Sequence, residues 1–188
     1  MALAHPPSFT WSIKDTLADI KTRFPKSFTD PLIIISISEQ KLALIENNQI
    51  TKTYTISSAK AGTGSLSGSY KTPLGVHVIS NKIGENSALA TIFNARIDTH
   101  KIAKILTEPN QKSGADNITS RILWLEGMED GVNKGGDVDS HDRYIYIHGT
   151  DEEGLLGQPV SHGCIRMGNL DVVELFGLVS VGTLVVIF

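Results

Sequence analysis

The sequence contains one cysteine, Cys164, within Ser161-His162-Gly163-Cys164-Ile165-Arg166-Met167. A lone cysteine is by default a small buried hydrophobe, but these neighbours argue for chemistry. Ser161 and His162 are polar where a buried strand would be apolar. Gly163 lets the backbone approach a substrate closely. Arg166 brings positive charge two residues on, which favours thiolate over thiol. A cysteine nucleophile also needs a base to take its proton. His162 would share a face with Cys164 if this segment were extended. His148 ends the apolar run Tyr144–Ile147 and is followed by Gly149-Thr150, a strand-to-loop exit that would hold a fixed geometry. His148 is the preferred base and His162 the second choice. The same three groups could make a three-ligand zinc site with an open position. No further cysteine or well-placed acidic ligand accompanies them, and a Gly-Cys pair near an arginine fits acyl transfer better. No metal and no cofactor is expected.

Other stretches imitate known motifs and fail on chemistry. Ala61–Gly75, AGTGSLSGSYKTPLG, lacks a glycine at the spacing that would cradle a phosphate, and it leads through Thr72-Pro73-Leu74-Gly75 into a strand, whereas nucleotide loops open a helix. Asp137, Asp139 and Asp142 cluster, but no glycine follows at the calcium-loop position, and His148 stands where that loop needs a bidentate glutamate. Asn117-Ile118-Thr119 matches a glycosylation sequon, which has meaning only in a secreted eukaryotic protein.

The elements that must position Cys164 and the histidines read as mostly β. Short strands are expected at Leu32–Ser38, Lys41–Glu46, Ile50–Ser57, Val76–Ile79, Arg121–Leu125, Tyr144–Ile147 and Thr183–Phe188, with Asn47-Asn48-Gln49 as a hairpin turn. Tyr144, Tyr146 and His148 would share one face of their strand. Ile13, Leu17, Ile20 and Phe24 lie at helical spacing, so residues 11–24 read as an amphipathic helix. Ser12 and Asp15 open it and Pro25 stops it. A second helix is expected at Leu170–Val179, capped by Asn169. Two long polar stretches, Thr107–Thr119 and Met128–Asp142, read equally well as lids or as inert surface loops.

The 188 residues, 40% hydrophobic and 20% charged, suffice for one core without staples, and a single cysteine excludes a disulfide scaffold. A net charge of −3 offers no basic footprint for nucleic acid. Apolar runs such as Leu184–Phe188 are far too short to span a membrane. The N-terminus, MALAHPPSFTWSIKDTLADIK, lacks a basic region followed by a long apolar stretch, so no export signal is expected and a cytoplasmic location is favoured.

His148-Gly149-Thr150 followed by Ser161-His162-Gly163-Cys164-Ile165-Arg166-Met167 resembles the L,D-transpeptidase catalytic-domain family, whose pattern is a His-Gly strand end, a gap, then Ser-x-Gly-Cys-x-Arg or Asn. Lys71-Thr72-Pro73-Leu74-Gly75 resembles that family's entry to a central strand, and Gly182–Ile187 its closing strand. The resemblance runs from about Leu32 to Phe188. It implies a β-sandwich with a few helices, organised as an N-terminal helical extension at 1–30 and a catalytic domain at 31–188. It also implies Cys164 as nucleophile, His148 as general base or acid with its ring oriented by the Gly149 carbonyl, and an oxyanion hole from N–H groups around Gly163 and Cys164. Arg166 would hold a substrate carboxylate and Ser161 would support the site geometry.

The implied partner is the peptidoglycan stem tetrapeptide, cleaved between the diamino acid at position three and D-Ala at position four. Water as acceptor gives an L,D-carboxypeptidase; an amine gives a 3→3 cross-link or D-amino-acid exchange. The missing export signal and mild acidity favour soluble peptides and water. A non-catalytic peptide-binding module is the reading from another class. A redox-sensing thiol protein would need a resolving cysteine, which the chain lacks.

Overall fold

Residues 32–35, Leu-Ile-Ile-Ile, are apolar on both faces, and such a strand needs cover on both. The computed structural model, which describes residues 11–188, provides it. Strand β1 (Leu32–Ser36) is buried throughout. Ile33 and Ile35 point into the main core, while Leu32 and Ile34 pack against helix α1 (Ile13–Arg23) through Leu17 and Ile20. The Ser12 hydroxyl accepts the Asp15 N–H at 3.2 Å, and the helix ends at Phe24, before Pro25. The first ten residues of the expected 1–30 extension lie outside the described residues.

Nine further strands follow in the described chain: β2 (Lys41–Glu46), β3 (Gln49–Ser57), β4 (Gly75–Ile83), β5 (Thr91–Asn94), β6 (Ile97–Ile102), β7 (Ile118–Gly127), β8 (Tyr146–Thr150), β9 (Ile165–Met167) and β10 (Leu184–Ile187). They form one sheet in the order β4-β10-β1-β2-β3-β9-β8-β7-β5-β6, and β4 also pairs with β7. The fold is therefore mostly β, as expected, and eight strands close a hydrogen-bonded ring that leaves the β5–β6 hairpin outside it. Helix α2 (Asn169–Leu178) places Val172, Leu175 and Phe176 in the main core.

The β2–β3 turn falls where the sequence puts it, with Asn47 and Asn48 at φ of 51° and 62°, a backbone that asparagine tolerates better than most residues. Three readings change. The β5–β6 hairpin was not anticipated, because β6 is mostly exposed and carries no apolar alternation. The expected strand Tyr144–Ile147 starts later and runs further: Tyr144 takes a φ of 57° outside the strand, and β8 continues through His148 to Thr150. The N-cap of α2 is Gly168 rather than Asn169. The buried Asn169 side chain instead accepts from Thr119 and Ser120 at 2.7 and 2.6 Å and donates to the Thr150 carbonyl at 2.8 Å, tying α2 to β7 and β8.

The two polar stretches behave differently. Residues 128–142 are wound on themselves. Buried Asn133 donates to the carbonyls of Leu74 and Val76 and accepts from the Glu129 N–H, and the Asp139 carboxylate takes the N–H groups of Gly135, His141 and Asp142. Residues 107–119 are fastened mainly by carboxylates from beyond β8: Glu152 accepts from Ser113, and Asp151 from Asn117.

Gly127 makes the first of these arrangements possible, because a Cβ there would stand 2.0 Å from the Asn133 carbonyl oxygen. Gly127→Ala forces two backbones apart. It is expected to lower stability by about 1–3 kcal/mol, the usual cost of overpacking, as a drop in the urea midpoint. An unchanged midpoint would contradict this packing.

Candidate active site

The site rests on the parallel pairing of β8 with β9. Its register sets Ile147 beside Ile165 and His148 beside Arg166. Side chains alternate along a strand, so Tyr146 and His148 share a face with Arg166, and Cys164 enters β9 beside them. The Tyr146 N–H lies 3.4 Å from the Cys164 sulfur, and the thiol in turn reaches the Tyr144 carbonyl at 3.4 Å.

The turn that delivers Cys164 is fixed at three points. Gly163 takes a φ of 133°, which L side chains avoid. The Ser161 hydroxyl donates to the Cys164 carbonyl at 2.6 Å and accepts the Gly163 N–H at 3.2 Å. The Thr72 hydroxyl, fully buried, donates to the Gly163 carbonyl at 2.9 Å and accepts the Ala59 N–H at 3.0 Å. Ser161 thus occupies the supporting position expected for it. Thr72 was not singled out from the sequence, although the Thr-Pro-x-Gly turn that contains it was. The Gly163 N–H, expected among the oxyanion donors, is spent on Ser161, which puts the emphasis on the Cys164 N–H.

Cys164 is partly exposed and packs against the cluster of Phe93, Ile122 and Tyr146. Burial pushes its thiol up to about 11, against a smaller opposing pull from the Tyr146 N–H. His148 is 3% exposed, and burial pulls its imidazole down to about 4. Its Nδ1 lies 2.7 Å from the Gly149 carbonyl, which can only accept, so Nδ1 carries the proton and Nε2 is left as the basic nitrogen. Both shifts run against the charged forms, thiolate and imidazolium, because burial withdraws the water that would solvate them. Gly149 is required sterically: a Cβ there would lie 2.6 Å from the Thr119 carbonyl on β7. The expected orientation of His148 by the Gly149 carbonyl is therefore present, in mid-strand rather than at a strand end.

Arg166 departs from expectation. Its side chain is 3% exposed; Nη1 donates to Glu152 at 2.9 Å, and Nη2 donates to Asp116. A fork occupied by two protein carboxylates is not presented to a substrate carboxylate. Its partners are also not Asp171 or Glu174; Glu174 binds Lys52 and Tyr54. Asp116 also contacts His162 Nδ1, and the His162 side chain is 68% exposed with an edge contact to Tyr70. The bend at Gly163 removes the extended geometry in which His162 would share a face with Cys164. His162 therefore fastens the 107–119 stretch, and His148, Cys164 and His162 do not gather into a metal-binding group.

Two arginines near Cys164 escaped sequence reading. Arg96, on the β5–β6 hairpin, donates to the Tyr146 hydroxyl at 3.1 Å and lies over Trp124 and Tyr144. Arg143 donates to the carbonyls of Lys71 at 2.7 Å and Gly64 at 3.3 Å, and its charge interacts with the Cys164 thiol. Both stand far from Cys164 in sequence, and no local motif marks either.

Comparison with known proteins gives the family and the fold. A family profile for the YkuD L,D-transpeptidase catalytic domain matches residues 30–187. Two Bacillus subtilis (strain 168) proteins named as L,D-transpeptidases are similar. YqjB is 30% identical over 84% of this chain and 71% of its own length, and YkuD is 30% identical over 87% and 70%. Among solved structures, an L,D-transpeptidase from Mycobacterium tuberculosis H37Rv superposes with a TM-score of 0.52 at 15% identity, over 84% of this chain and 57% of its own. That likeness is one of fold, and this chain spans under two thirds of that solved chain. With the profile covering everything from just before β1 through β10, including the His148 strand and the Cys164 turn, the chain belongs to the YkuD L,D-transpeptidase catalytic-domain family.

Proposed function

We propose that Cys164 and His148 cleave the bond between the position-three diamino acid and D-Ala at position four of peptidoglycan stem tetrapeptides, through a thioester on Cys164. The carrying observation is the hydrogen-bond geometry: a thiol held between the Tyr146 N–H and the Tyr144 carbonyl, and an imidazole whose Nδ1 lies on the Gly149 carbonyl. As sulfur attacks the carbonyl carbon, its proton passes to His148 Nε2. The Cys164 N–H faces the developing oxyanion, a type of interaction whose loss costs about 2.7–4 kcal/mol. The tetrahedral adduct expels the D-Ala amine, which receives the proton from His148. Water, deprotonated by the same nitrogen, then hydrolyses the thioester and releases a tripeptide carboxylate.

Water is the favoured acceptor, making this an L,D-carboxypeptidase of wall recycling or precursor trimming. The net charge of −3 gives no attraction to an anionic wall. The single reactive thiol suits a reducing, cytoplasmic compartment. The names borne by YqjB and YkuD favour the second reading, an amine acceptor producing 3→3 cross-links or D-amino-acid exchange.

Mass spectrometry of products from disaccharide-tetrapeptide, with and without an acceptor amine, separates the two. Tripeptide and free D-Ala in both reactions support hydrolysis; dominant dimer or exchanged peptide, with a wall-side location in cells, supports transpeptidation. Imipenem should add one adduct mass to the wild type and none to Cys164→Ala, and an adduct on the variant would defeat the assignment. His148→Ala should lose on the order of 10²–10⁴-fold in rate, and His162→Ala less; the reverse order would make His162 the base.

The pH dependence follows from the direction of the His148 shift. The neutral imidazole is the active form, and its pKa is lowered to about 4. The second-order rate of imipenem acylation should therefore hold as pH falls through the ordinary histidine range, declining only toward pH 4. A one-proton loss of rate centred near pH 6.5, with circular dichroism unchanged, would contradict a desolvated neutral base.

A further inference from the structure

Arg166 was expected to receive a substrate carboxylate, yet its fork is taken by Glu152 and Asp116. Arg143 has the opposite character. It is half-buried, and among the described residues its guanidinium meets only the backbone carbonyls of Lys71 and Gly64. Carbonyl oxygens orient a guanidinium but do not neutralise it. Burial accordingly holds the Arg143 pKa below its ordinary value.

Its placement is fixed from both sides. The Arg143 N–H donates to the Asp139 carbonyl at 3.0 Å, at the turn that the Asp139 carboxylate organises. The Lys71 carbonyl that it binds also faces the cysteine turn, 3.5 Å from where a Cβ on Gly163 would stand. The next residue, Thr72, holds the Gly163 carbonyl. Tyr144, adjacent to Arg143, supplies the carbonyl that the thiol contacts. One peptide link thus joins the Arg143 fork to the nucleophile's backbone.

We propose that Arg143 forms the carboxylate subsite of this centre, binding the terminal carboxylate of the residue that leaves. The inference rests on the reading above, in which a single amino acid is released. That residue's carboxylate is only three bonds from the attacked carbon, so its partner must stand beside the nucleophile, and a rigid planar fork suits the task. Specificity for a free C-terminus follows: a chain extended beyond position four, or amidated there, forfeits the pairing.

Two readouts test this. The first compares kcat/KM for tetrapeptide ending in D-Ala with that for the same peptide ending in D-alaninamide. The wild type should prefer the acid by about 10- to 100-fold, the range of a charge-assisted pair. Arg143→Gln should collapse that preference and Arg143→Lys retain part of it. An acid-to-amide ratio in Arg143→Gln equal to that of the wild type would overturn the proposal and leave Arg143 as a support for the Gly64–Lys71 loop. The second readout needs no peptide: the ratio of Cys164 alkylation rates by iodoacetate and iodoacetamide. Both reagents share the same thiolate fraction, so the ratio reports anion attraction. It should fall in Arg143→Gln, and an unchanged ratio would count against the subsite. If neither peptide is turned over while the alkylation ratio still falls, the peptidase reading fails and the carboxylate subsite stands.

Discussion

The site depends on one pairing of two short parallel strands. β8 and β9 come from segments separated by the stretch at 151–164, and their register alone sets His148 against Arg166 and Tyr146 next to Cys164. A slip of one residue would turn every one of these side chains to the opposite face. The structure guards against it on both flanks. β7 approaches Gly149 too closely for any other residue, and β3 pairs Ile56 and Ser57 with Met167 and Arg166. Asn169 then joins β7, the end of β8 and the start of α2 through a satisfied buried amide.

Around this frame the charges are sorted. Cys164 packs against Phe93, Ile122 and Tyr146, and burial disfavours both its thiolate and the His148 imidazolium. The chemistry this supports is proton transfer during attack rather than a standing ion pair. The buried charges are paired with one another, as in the Glu152–Arg166–Asp116 set, which also draws His162 and the 107–119 stretch onto the β8–β9 edge. Breaking such a set by removing one member strands a buried charge. Arg166 therefore reads as a keystone of that edge, and Arg143, held by carbonyls alone, as the cation with capacity left for an anion.

What the sequence disclosed was local. Ser12, the Asn47-Asn48 turn and the His148 and Cys164 motifs announce themselves within a few residues, because capping, positive φ and a glycine beside a nucleophile are short-range demands. What it concealed was distant pairing. Thr72 lies 91 residues from the Gly163 carbonyl that it holds, and Asp116 lies 50 from Arg166. Residue type showed that Arg166 needs an anion, but not that two protein carboxylates reach it first. Likewise, the extended reading that made His162 a rival base could not survive the φ of Gly163, in a turn held by the Ser161 and Thr72 hydroxyls.

The proposed mechanism requires His148 to rest as a neutral imidazole with its proton on Nδ1 and a free, basic Nε2. Nitrogen-15 imidazole chemical shifts of His148 across pH 5–8 measure this directly. The expected result is one protonated and one pyridine-like nitrogen throughout, with Nδ1 carrying the proton. Two protonated nitrogens at pH 7, the signature of an imidazolium paired with a thiolate, would contradict it.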